Sequence, residues 1–162
     1  MELELTHAYN AGLDKVLGAF LSEGHIQEKN QRLGSRNLRI AELRRDDESA
    51  KLVVERELSA SSEVPGILAS FHKPWNRVRQ EEHWFRKDDA EWHCEFRVRI
   101  DGVPAKIKGM MRLQGNVEKS INYVTLTVKC DVPFLGSKIA KFLAKDSHAK
   151  IENEYQVTRE LL

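Results

Sequence analysis

The sequence predicts an α+β fold: a strongly curved antiparallel sheet of about seven strands wrapped around one long C-terminal helix, with two short helices after the first strand. Three observations carry that expectation. From Pro133 to Leu162, residues Ala140, Leu143, Ala144, Ser147, Ile151, Tyr155, Thr158 and Leu162 recur at three- and four-residue steps and so share one helical face. Upstream, successive stretches alternate apolar and polar residues, the period of strands buried on one side, and their short connections imply an antiparallel meander. At 1.5 Å per helical and about 3.3 Å per strand residue, the helix and the last strand (Ile121 to Val132) each reach roughly 40 Å. A helix of that length must lie along the sheet, and only a bent sheet covers its own apolar face by gripping it.

In chain order, Leu3, Leu5, His7 and Tyr9 alternate with polar neighbours as the inward side of a first strand. Asn10 is placed to cap a helix with Leu13, Val16, Leu17, Phe20 and Leu21 on one face. Ser22 opens a second short helix anchored by Ile26 and ending about Gly34. Two strands follow, Arg36 to Arg45 and Ala50 to Ser59, joined by a polar turn. The segment from Ser59 to Pro74 breaks the pattern. It contains the apolar patch Ile67, Leu68 and Phe71, and is either a lid or a crossover that plugs the core with Phe71. Asn76 to Lys87 is the next strand, and Trp92 to Ile100 alternates most cleanly of all. Asp101-Gly102 signals a hairpin turn into a strand carrying Val103, Ala105, Ile107, Met111 and Leu113. Val124, Leu126, Val128, Cys130 and Val132 face inward on the last strand, and Pro133 starts the final helix.

A chain of 162 residues suits a single domain, 1–162, with a substantial core. With 26 basic and 25 acidic residues, the net charge of +1 offers no global field for nucleic acid or an anionic membrane. No secretion signal or long apolar run is visible, so no stable membrane insertion and a cytoplasmic location are expected. Two cysteines, Cys94 and Cys130, fit reduced thiols. No metal-ligand spacing, glycine-rich phosphate loop or nucleophile elbow around Ser59, Ser61 and Ser62 appears, so no cofactor, metal or catalytic set is assigned. His83 and His93 fall on the outer, solvated face. Arg97, Arg99, Lys106, Lys108 and Arg112 are interleaved with Glu91, Glu95 and Asp101, the pattern of a solvated surface.

The stretch Val132-Pro-Phe-Leu-Gly-Ser-Lys-Ile-Ala-Lys-Phe-Leu, the Thr158-Arg-Glu-Leu-Leu ending and the triplet Glu82-His-Trp84 carry a family likeness. With the order of elements, they make the chain resemble the START-like (SRPBCC) helix-grip superfamily of lipid-transfer proteins, polyketide cyclases and Bet v 1-type allergens. Within it the chain is most similar to the bacterial domain of unknown function 2505. The superfamily implies a hydrophobic cavity between sheet and helix, whereas the family implies no particular ligand.

The residues themselves bear on such a cavity. Gly136, Ala140, Ala144 and Ser147, beside Leu143 on the helix, are small residues opposite a concave sheet. They either draw the helix closer or leave a pocket under its N-terminal half, near Trp84, Trp92, Phe96 and Met111. Four polar residues, His7, Arg56, Gln80 and Glu82, fall on otherwise apolar strand faces, where an unpartnered charge is costly. Arg56 and Glu82 lie on sequential strands and so can pair; the group is a satisfied buried ion pair, strand-end residues facing water, or an anchor that orients a ligand's polar end. The expected activity is binding of a hydrophobic small molecule or lipid. The alternatives are a cyclase- or hydrolase-type enzyme using Glu82 and His7, and a co-chaperone-like interaction module using the outer face.

Overall fold

A computed structural model describes residues 1–60 and 63–162. Ser61, Ser62 and the side chain of Ile67 lie outside the described residues. The elements run β1 (Glu2–Tyr9), α1 (Leu13–Phe20), α2 (Glu23–Leu33), β2 (Arg36–Arg45), β3 (Ser49–Leu58), β4 (Asn76–Asp88), β5 (Glu91–Ile100), β6 (Lys106–Gly115), β7 (Ser120–Lys129) and α3 (Gly136–Leu161). The seven strands form one antiparallel sheet in the order β1-β7-β6-β5-β4-β3-β2, a meander closed by the first strand pairing with the last. Along β7 the alternation is strict: Asn122, Val124, Leu126 and Val128 are buried, and the residues between them are half-buried. The outer face is laced with ion pairs, such as Glu81 with Arg79 at 3.1 Å and with Arg97 at 2.8 Å.

Local chemistry departs from expectation at three places. Asn10 is exposed and caps nothing; the N-cap of α1 is Gly12, and the Leu13 N–H donates to the Asn116 carbonyl at 2.9 Å, so the β6–β7 turn does the capping. Ser22 does cap α2, its Oγ accepting from the His25 N–H at 3.3 Å. α3 begins at Gly136, not Pro133, because Phe134 sits at φ 64 and breaks the helical path. β7 correspondingly ends at Lys129 and β6 starts at Lys106, leaving Val103, Ala105 and Val132 in half-buried connections. The Asp101-Gly102 turn is present, with Gly102 at φ 78.

Among its described residues, the segment between β3 and β4 contains a 3₁₀ turn, Gly66–Leu68, and sends Leu68 and His72 inward. Leu68 is buried, and the buried His72 ring stands edge-on to Phe142 of α3 at 5.4 Å. Phe71, the expected plug, is only half-buried.

Candidate functional site

Under the C-terminal half of α3 the sheet and helix separate around a cavity of about 160 Å³. Leu52, Val54, Ile107, Val124 and Leu126 supply an apolar floor; Phe20 and Ile26 close it from α1 and α2. Ser147, Ile151, Tyr155 and Thr158 form the roof, one side of the helical stripe. Phe96 lies across the floor because its neighbour in register, Gly109, has no side chain. A Cβ there would come within 2.5 Å of the Phe96 ring and 2.2 Å of the Thr125 carbonyl oxygen.

Polar groups reach this space in three sets. The first joins α2, β3 and α3. Arg56 Nη1 donates to Asn30 Oδ1 at 2.6 Å, and Arg56 Nη2 lies 3.0 Å from Glu154 Oε1. Asn30 is itself fixed by donating to the Ile26 carbonyl at 2.8 Å. Burial pushes the Glu154 carboxyl up, but the positive charges of Arg56 and Lys29 outweigh it and hold that carboxyl below the usual carboxylate range.

The second set lies on one side of β4. Glu82 accepts from Trp84 Nε1 at 2.9 Å and from Gln80 Nε2 at 2.7 Å. Burial raises the Glu82 pKa; these two hydrogen bonds and Lys29 oppose the shift without cancelling it. The third set joins β1 and α3. His7 Nε2 is 2.6 Å from Glu152 Oε1, and the imidazole stacks on Tyr155 at 4.0 Å with planes 5° apart. The Tyr155 hydroxyl donates to the Ala8 carbonyl at 2.6 Å. Beside His7 in register stands Asn122, whose Nδ2 donates to Met111 Sδ at 3.5 Å.

Of the sequence-selected residues, His7, Arg56, Gln80, Glu82, Phe96, Met111 and Ser147 meet on the cavity wall. Trp84, Trp92, Ala140, Leu143 and Ala144 do not. Trp84 is fully buried, 5.9 Å from the Phe20 ring, and Trp92 packs beneath the Arg45 guanidinium at 5.8 Å. Ala140, Leu143 and Ala144 are buried in the filled part of the core, so the expected pocket under the N-terminal half is a misplacement. There the small residues draw the helix in. Gly136 lies so close to the end of β7 that a Cβ would be 2.3 Å from the Cys130 carbonyl oxygen.

Arg56 and Glu82 do not pair either. Arg56 stands opposite Val78 and Glu82 opposite Leu52, an offset of four residues, or about 13 Å along the strands. His83 and His93 lie half-buried among outer-face neighbours, His93 Nε2 being 3.0 Å from Glu91 Oε2.

Sequence reasoning missed Lys29, Asn30, Asn122 and Glu154. Asn122 had a signal, since it shares parity with Val124 and Leu126; Asn30 had one as well, four residues after Ile26 on α2. Glu154 had none. Among the described residues no group of three or more His, Cys, Asp or Glu side chains could hold a metal ion, and no helix is long and apolar enough to cross a membrane.

A seven-stranded sheet gripping a long C-terminal helix over a partly open cavity defines a START-like, Bet v 1-like helix-grip protein. Solved structures agree. The fold matches the protein TTHA0849 from Thermus thermophilus with a TM-score of 0.66 at 14% identity, over 99% of this chain and 95% of that one. It matches a START superfamily protein from Mycobacterium smegmatis with 0.54 at 10% identity, over 99% of both chains. Norcoclaurine synthase from Thalictrum flavum matches with 0.56 at 10% identity, over 99% of this chain and 85% of that one. Identities this low establish the fold alone. No curated protein matches the sequence. The chain belongs to the family described as protein of unknown function (DUF2505), whose profile covers residues 4–162.

Proposed function

We propose that the protein binds a small, largely apolar molecule in this cavity and carries it unchanged, in the cytoplasm. One observation carries the reading: about 160 Å³ of space inside a core otherwise packed with side chains, floored by aliphatic residues and bordered by polar groups. Interiors are normally filled to crystal-like density, so a void of several water volumes is retained at a cost. The aliphatic floor favours an occupant with an apolar body, and the polar groups at its border can orient one end of it.

Native mass spectrometry on protein from its own host tests this. A reproducible apolar adduct, lost when Ser147→Phe fills the roof, is the expected result. An adduct-free protein that also fails to take up small aromatic or aliphatic compounds in solution overturns it.

A second reading has its own observation. The His7–Glu152 pair at 2.6 Å places an imidazole oriented by a carboxylate beside a cavity that also holds the buried Glu82. Such a pair can serve as a general base. Norcoclaurine synthase, an enzyme by name, shares the fold, which makes the enzyme reading an analogy and no more. Chemical conversion of any retained compound, abolished in His7→Gln while binding persists, would replace the carrier reading with the enzymatic one.

A further inference from the structure

Two buried atoms on the cavity wall lack a hydrogen-bond partner among the described residues, Arg56 Nε, whose guanidinium is otherwise held by Asn30 and Glu154, and Asn122 Oδ1, which stands in a largely apolar part of the lining. Asn122 is 2% exposed, and its Oδ1 has no hydrogen-bond partner among the described residues. Its other terminus is occupied by Met111 Sδ. Packing does not require an amide here. Asn122 lies between Leu113 of β6 and His7 of β1 in register, two residues before Val124, where a leucine of similar size would continue the apolar floor. Ser120, the next inward residue, shows the ordinary solution, its Oγ donating to the Ala11 carbonyl at 2.9 Å. A buried acceptor left open is costly, and such an atom in a native structure calls for an unseen partner.

Two further observations limit that partner. Three charged groups on the wall already face opposite charges, Arg56 with Glu154, His7 with Glu152 and Lys150 with Asp146, while Lys29 and Glu82 line it as one charge of each sign. An ionic ligand set against any of the three pairs would have to displace a partner, and the wall as a whole carries both signs, which favours a neutral ligand. The volume of about 160 Å³ is close to the ~150 Å³ of an engineered cavity that takes up benzene, and below the ~300–1,000 Å³ of drug-sized sites. A sterol or a long acyl chain exceeds this volume.

Resting on the carrier reading above, we infer that the ligand is a neutral, single-ring-sized molecule bearing one hydroxyl or N–H group, and that Asn122 Oδ1 accepts that hydrogen. Met111, Val124 and Phe96 flank the ring, and Asn122 sets which end enters.

The test compares toluene with p-cresol, which differ by one hydroxyl, by NMR titration of the full chain. In a purely apolar site toluene is favoured, because p-cresol must lose water from its hydroxyl. With Asn122 as acceptor, p-cresol binds at least about fivefold more tightly. It also shifts the Asn122 side-chain amide resonances beyond the ring-current shift that toluene causes. In Asn122→Leu toluene binding persists and the preference for p-cresol disappears. If that variant does not fold, the wild-type affinity ratio and the difference between the two ligands' shifts at Asn122 decide alone. Equal binding of the two compounds, or a preference that survives Asn122→Leu, overturns the inference while leaving the carrier reading intact. So does uptake of palmitate with neither ring compound bound. If toluene, p-cresol and palmitate all fail to bind, the carrier reading itself falls.

Discussion

The first half of α3 is sunk into the sheet, with Ile139, Leu143 and Ala144 each at most 2% exposed, while the second half rides above it with Ile151 and Tyr155 half-buried over the cavity. Both halves carry the same apolar stripe, so the stripe is not what separates them. The first half is tethered by a short link to the end of β7, and Gly136 lets its backbone touch that strand. The second half is held at its flanks, by Glu152 to His7 on β1 and by Glu154 to Arg56 on β3. Contacts at the flanks fix the height of a helix without filling the space beneath it. Packing closes one end of the molecule, and polar struts keep the other open.

Paired truncations break the comparison most sharply. Leu143→Ala removes a side chain from the filled half and is expected to cost about 3 kcal/mol in urea unfolding. Ile151→Ala, on a roof already bordering the cavity, should cost about 1 kcal/mol. Equal losses would mean that the two halves pack alike.

The strut at Glu154 comes next. Glu154→Gln leaves the Arg56 guanidinium buried without its counter-charge and is expected to lower stability by about 2 kcal/mol at neutral pH. The Glu154 carboxyl lies below the usual carboxylate range when folded. Its contribution is therefore present above the unfolded-state pKa and is lost as pH falls through the folded one. The gap between wild type and variant should close on acidification, and a gap constant with pH would remove the electrostatic account of the strut.

Glu82 sharpens the contrast with the smallest effect and the opposite sign. Its carboxyl is raised by burial, so the folded state prefers the protonated form and ionisation near neutral pH weighs against folding. Glu82→Gln should leave the melting temperature at pH 7 unchanged or slightly higher, with Gln80 turning its amide to complete the hydrogen bonds. The advantage should vanish as pH falls into the usual carboxylate range. A large loss at pH 7 would show that the Trp84 and Gln80 hydrogen bonds need the carboxylate itself.

Much of this was written in the order of the residues. Periodicity determined the strands, the helix stripe and which residues point inward, including His7, Arg56, Gln80, Glu82 and, by the parity of β7, Asn122, because side-chain direction in a strand or helix is a local property of the backbone. Tertiary structure alone decided that β1 closes the sheet against β7, that Arg56 finds Glu154 in place of Glu82, and that the cavity opens beneath Ser147 and Ile151 instead of Ala140 and Ala144. Those outcomes depend on strand register, on how the sheet bends and on where a helix more than a hundred residues downstream of β1 comes to rest. Inward direction is set within a few residues; what stands opposite is set by the whole chain.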